Sequence, residues 1–291
     1  VTGVEHSNRK RHFYPYTIAW FIFYILCLGL SQVRSFPTET GYFFAFIAIG
    51  VILTVLACLE WSVHILSRRL ALFFITASLA WWTATMMLAR SDYDFRWFQA
   101  LNSIILLVGT FAIGFWLAGE LEKSGHLLPV AILGALVDIW SVFMGPSKMV
   151  GQKVVEHYDK IPGVISPETW VQPPIVNFLL VNFPQPGTNY STPTFGFGDW
   201  VFVGIFLAGC RKFGIPVYKT VGLVLLGMGL SIAVSLRFNM PVPALPFICG
   251  AFIAGNYDKL ELTQKEWKLT WTIVAAIFTL GIISLLKTLF L

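Results

Sequence analysis

Apolar runs recur along almost the whole chain, and polar residues are confined mainly to the gaps between them. A helix rises 1.5 Å per residue, so about 20 apolar residues cross the hydrocarbon of a bilayer. On that criterion the pattern predicts nine helices, over 14–31, 41–60, 69–89, 98–118, 126–145, 197–212, 217–236, 241–256 and 267–290. The sixth and eighth are short, which predicts tilted or partly unwound entries. The first run is followed by SQVRSFPTE, without a small-residue cleavage site, and is read as a retained spanning helix rather than a signal peptide. One stretch breaks the pattern. Residues 146–195 are polar, hold 8 of the 15 prolines, and are too long for a simple turn. The expected architecture is an all-α polytopic membrane protein of about nine transmembrane helices. It divides into a four-helix amino-terminal bundle (1–125), a central region (126–256) carrying the polar loop, and an additional carboxy-terminal helix (257–291).

Composition narrows the class. Of 291 residues, 56% are hydrophobic and only 12% charged, against about 25% charged in a soluble domain. That leaves no room for a large soluble domain. If the nine helices alternate in direction, 12 Lys and Arg fall on the amino-terminal side and 8 on the other. The positive-inside rule then puts the amino terminus in the cytoplasm. The basic residues are spread among loops rather than gathered on one face, which argues against a nucleic-acid partner. Cys27, Cys58, Cys210 and Cys249 form no CxxC, and the five histidines have no ligand spacing, so neither a disulfide framework nor a metal site is expected. Glu60, His64, Glu120 and Arg237 sit near segment ends, where long polar side chains reach the headgroups. Trp20, Trp61, Trp97, Trp116 and Trp267 fit an aromatic belt. Asp92 and Asp94 fall in a short loop and are expected to be solvated.

Two acids do not fit that interfacial pattern. Asp138 lies within HLLPVAILGALVDIWSVFMG and Asp199 within TFGFGDWVFVGIFLAGC, each the only acid of its apolar stretch. An ionised carboxylate in hydrocarbon costs several kcal/mol, so it persists only with a partner, with water or with a task. Asp138 precedes the helix exit by about two turns, roughly 10 Å of rise. Asp199 follows its helix start by a few residues. The two helices are consecutive and antiparallel, so both carboxyls are expected at similar depth on one side, within reach of one water. Carboxyls that close titrate as a unit and share one proton. The ionised member can take a proton from water while the other donates to a carbonyl oxygen.

Two further motifs accompany them. Gly196-Phe197-Gly198 precedes Asp199, and glycine permits close backbone approach, either of another helix or of an extended substrate. Pro241-Val242-Pro243-Ala244-Leu245-Pro246 opens the eighth segment, and three prolines in six residues exclude a regular helix interior. Irregular backbone at membrane depth is tolerated where it is buried in protein or lines a wet cavity. The alternative is a simple proline-capped helix start.

Together these features resemble the GxGD intramembrane aspartyl proteases, the group of presenilin and signal peptide peptidase. The matching elements are Asp138 within LVDIWSVF, Asp199 within GFGD, and Pro243-Ala244-Leu245, in the family's order with a long loop between the acids. The similarity covers roughly 126–256. It departs from the family in having Val137 where a tyrosine often stands. It also has four predicted helices before the first acid, where five are usual, and one after the Pro-Ala-Leu helix. The resemblance implies a presenilin-like fold and a prokaryotic homologue, this being a chain without large tails. It implies hydrolysis of peptide bonds within transmembrane segments, with Asp138 and Asp199 as the catalytic pair and no metal or other cofactor. Gly196, Phe197, Gly198, Pro243, Ala244 and Leu245 would bind the substrate, a transmembrane-helix peptide presented from the lipid bilayer. The polar loop would supply an edge strand to which unwound substrate adds. Three other readings remain open: a proton-coupled transporter using the same intramembrane acids, a prepilin-peptidase-like GxGD protease, which lacks the Pro-Ala-Leu element, and a catalytically silent scaffold or substrate receptor, against which the presence of both acids argues.

Overall fold

In a computed structural model of the chain, the described residues are 68–88, 96–145, 147–149, 179–184, 191–238 and 242–290, with isolated helical positions at 25, 29 and 50–52. The expected helices 14–31 and 41–60 lie outside the described residues apart from those positions, as does most of the 146–195 loop. The described residues are predominantly helical. Among the described residues the helices are α1 (Arg68–Leu88), α2 (Arg96–Glu120), α3 (Leu127–Met144), α4 (Phe197–Lys212), α5 (Val217–Phe238), α6 (Leu245–Asn256) and α7 (Gln264–Phe290). Each lies over one of the predicted segments. Among the described residues, three stretches are long and apolar enough to cross a membrane: Leu101–Glu120, Ser124–Met149 and Val217–Ser235. That is the signature of a membrane protein. The all-helical expectation needs one amendment, because the polar loop contains a β-hairpin of β1 (Leu180–Pro184) and β2 (Ser191–Gly196).

The chain forms two compact units, Val1–Leu117 with Asp159–Ala208, and Ala118–Tyr158 with Gly209–Leu291. In the first, small residues let helices approach closely. A Cβ on Gly109 would lie 2.6 Å from Ser78 Cβ, and one on Gly204 would lie 3.3 Å from Gly114 Cα. Close contact through small residues is how membrane helices associate when hydrophobic burial gives little drive. Leu107, Phe111, Val203, Phe206 and Leu207 are buried in this unit. The Ser78 hydroxyl donates to Ile105 O at 3.3 Å, and Trp81 Nε1 donates to Asn102 Oδ1 at 3.3 Å, joining α1 to α2. The Arg68 guanidinium lies 5.9 Å from the centroid of Trp116, so this belt candidate carries a cation–π contact.

The hairpin is antiparallel and pairs Leu180 with Gly196, Val181 with Phe195 and Asn182 with Pro193. A bulge between Val181 and Asn182 leaves Thr194 as the extra residue of β2. Pro193 has no N–H to give a ladder, and proline in strands is confined to edges and bulges. Opposite it, the Asn182 N–H donates to Ser103 Oγ of α2 at 3.0 Å.

In the second unit α6 packs against α5 and α3, and α7 packs against α3. A Cβ on Gly227 of α5 would lie 2.6 Å from Ile248 Cα of α6, so backbones meet there. The end of α4 is a Schellman turn: Ile215 N–H donates to Cys210 O at 2.7 Å and Gly214 N–H to Arg211 O at 3.2 Å. Gly214 takes φ +70 at the left-handed position, where a side chain would be strained. Lys212 Nζ donates to Gly119 O and Leu121 O, each at 2.6 Å, satisfying carbonyls at the end of α2.

Candidate functional site

Asp138 sits on the last two turns of α3, half-buried, beside exposed Val137, Ile139 and Trp140. Its partner comes from α6. The prolines stop a helix from forming before Leu245, and residues 242–244 are irregular. Pro246 falls within the first turn of α6, where its missing N–H costs nothing. The first amides of a helix have no internal acceptor. Leu245 N–H donates to Asp138 Oδ2 at 3.0 Å, and the Ala244 amide bears on the same carboxyl. Pro243, Ala244 and Leu245 are buried. The proline run is thus a helix start, and the first amide of that helix is bonded to the Asp138 carboxyl. A carboxylate at a helix amino terminus is electrostatically favourable, which answers part of the cost of placing it there.

Asp199 is the third residue of α4 and is buried, with 8% of its surface exposed. Its Oδ2 accepts the N–H of Gly196 at 2.9 Å. This is half of a capping box, in which an acid three residues inside the helix satisfies the amide of the residue before it. The surrounding aromatics fix the turn: Trp200 and Phe195 are buried and meet edge-to-face at 6.3 Å between centroids. β2 therefore runs directly into the acid-bearing helix.

The glycines show why the motif is open. A Cβ on Gly196 would meet only Asp199 Oδ2 at 3.6 Å and Leu180 Cδ2 at 3.9 Å, and one on Gly198 would meet nothing within 4 Å. Among the described residues no helix presses on Gly198, so packing does not explain that glycine. Phe197 between them is exposed.

The structure brings Asp138, Pro243, Ala244 and Leu245 together in the second unit. Gly196, Phe197, Gly198 and Asp199 gather in the first. Among the described residues, no group of three or more His, Cys, Asp or Glu side chains is arranged to hold a metal ion. Two features escape motif reading. One is Ser103, a single serine in an apolar helix that engages the hairpin. The other is Glu266, which pairs with Lys123 and lies 3.4 Å from His126 Nε2. The only sequence signal for the latter is Thr263-x-x-Glu266, a capping box at the start of α7. No protein-family model matches the chain, and no curated protein matches it either.

Proposed function

We propose that this protein is an intramembrane aspartyl protease with about nine transmembrane helices in a presenilin-like arrangement and its amino terminus in the cytoplasm. Asp138 and Asp199 share one proton and one water. The ionised carboxylate removes a proton from the water as its oxygen attacks the peptide carbonyl, and the protonated carboxyl donates to the carbonyl oxygen. The resulting tetrahedral intermediate collapses with proton delivery to the leaving amide nitrogen. No metal or cofactor enters this scheme.

The observation that carries the reading is the 3.0 Å bond from Leu245 N–H to Asp138 Oδ2. It joins the first acid to the Pro-Ala-Leu element across more than a hundred residues, as a shared site requires. The open space at Gly198 and the strand leading into Asp199 support the same reading. A peptide bond inside a helix is shielded, so the substrate must unwind before attack. An unwound segment needs partners for its exposed amides and carbonyls, and a strand edge supplies them. Because the edge of β1 is engaged by α2 at Asn182, addition is expected at β2, next to Gly196–Gly198. Pro243, Ala244 and Leu245, beside Asp138, would also bind the substrate.

The test is cleavage of a reporter carrying one transmembrane helix, in reconstituted vesicles. Asp138→Asn and Asp199→Asn should each lower the rate by at least about 10²–10⁴-fold, the usual contribution of a general acid or base. Cleavage that survives either substitution would overturn the proposal. Solute or proton flux without proteolysis would replace it with the carrier reading.

A further inference from the structure

We infer that Ser103 is a positioning residue for substrate: from α2 it holds β1 so that the opposite edge of the hairpin is presented for strand addition. The inference rests on the protease reading and adds to it a residue outside every motif of that reading.

The argument begins with Asn182. Its strand partner is Pro193, which cannot donate, and a bulge lies next to it. A two-stranded hairpin is marginal by itself, and this one is weakened at its centre. Asn182 is buried, and a buried backbone N–H needs an acceptor. Ser103 Oγ accepts it at 3.0 Å, and both residues are buried, at 4% and 2% exposure. The serine is itself braced. Its neighbour Asn102 is buried and accepts from Trp81 Nε1 at 3.3 Å, which fixes this turn of α2 against α1. Of two consecutive polar residues in an apolar helix, Asn102 braces α2 against α1 and Ser103 docks the strand. The consequence for binding is directional. The engaged edge of β1 cannot receive another strand at Asn182, and β2 is held in register up to Gly196, whose N–H is bound to Asp199. Ser103 therefore acts on substrate affinity through the hairpin and has no part in the proton transfers.

The test compares Ser103→Ala, Ser103→Thr and wild type, with Asp199→Asn as the inactive control. Two quantities are read: hydrogen exchange at the Asn182 amide, and the kinetics of a transmembrane-helix reporter. In Ser103→Ala the Asn182 amide should exchange about five-fold faster or more, as expected for loss of one hydrogen bond. KM should rise by a similar factor with kcat within about two-fold, the pattern for lost uniform binding. Ser103→Thr, which keeps the hydroxyl, should restore both. If the alanine variant does not fold, Ser103→Cys carries the test, since sulfur keeps the volume and accepts weakly. Unchanged exchange and KM in Ser103→Ala, beside Asp199-dependent cleavage by wild type, would overturn the inference and leave the protease reading standing. A fall in kcat alone would overturn it as well. Absence of Asp199-dependent cleavage in wild type would overturn both.

Discussion

At the scale of single residues, each acid has a structural partner that must be separated from its chemistry. Asp138 satisfies the Leu245 amide and Asp199 the Gly196 amide, so either side chain would be useful as a helix cap alone. Asparagine keeps an acceptor oxygen and alanine does not. Asp138→Ala should therefore lower stability by about 1–3 kcal/mol, the cost of stranding a buried donor, while Asp138→Asn stays close to wild type. Both variants should be inactive if the carboxyl works on water. Denaturant unfolding in detergent beside the cleavage assay separates the two roles. An active Asp138→Asn protein would leave only the cap. The candidate residues are conspicuous in the sequence because each stands out chemically: acids in apolar stretches, glycines flanking one of them, prolines at a helix start. Ser103 and His126 are not. A serine in a membrane helix or a histidine at a segment end is ordinary, and only the partner across space, Asn182 or Glu266, gives it meaning.

Among the elements, the seven described helices were legible because a bilayer leaves the chain little choice. Every buried backbone group must be satisfied within its own segment, so a long apolar run becomes a helix. The hairpin was harder. Its strands contain Pro184 and Pro193 and show no clean alternation, and part of its support comes from α2. The start of α6 shifted from 241 to 245 because the proline run delays the first helical turn. Element contacts also carry predictions. Gly227→Ala places a methyl 2.6 Å from Ile248 Cα, and overpacking of that kind costs about 1–3 kcal/mol. The same substitution at Gly222, where a Cβ meets nothing within 4 Å, should be neutral or slightly favourable. Equal thermal stability of the two variants would refute a backbone contact between α5 and α6. At the other end of this unit, Lys123 first, then the Thr263 amide and hydroxyl, and His126 hold the Glu266 carboxyl down from its ordinary 4.5 to about 2. A group whose folded value is depressed adds stability above its unfolded value and loses it as pH falls. The α6–α7 turn should thus be steady above about pH 5 and loosen between about 4.5 and 2. Hydrogen exchange at the Thr263 amide, corrected for its intrinsic rate, reads this directly, and Glu266→Gln should remove the dependence. The pair is partly exposed and screened by solvent, so the change should stay local.

The whole molecule poses one question that neither unit answers by itself, because Asp138 belongs to one and Asp199 to the other. The proposed chemistry would require their carboxyls to reach a common water, which would limit the separation of the two Cβ atoms to several ångströms in the working state. Cysteine makes that requirement measurable. With Cys27, Cys58, Cys210 and Cys249 replaced, an Asp138→Cys and Asp199→Cys double variant should form a disulfide under mild oxidation, since bridged Cβ atoms lie about 3.5–4.5 Å apart. Adding a transmembrane-helix peptide should speed the reaction if substrate draws the units together. On the protease reading the wild-type protein should then show a bell-shaped dependence of kcat/KM on pH, its two limbs belonging to the pair rather than to either acid. The two measurements constrain each other. A bell without cross-linking would mean that other titrating groups set the profile. Cross-linking with a profile flat across the carboxyl range would mean that the acids meet but do not act on water. Only their joint occurrence supports a hydrolytic pair assembled from two halves of the fold, each of which already caps a helix with the carboxyl it contributes.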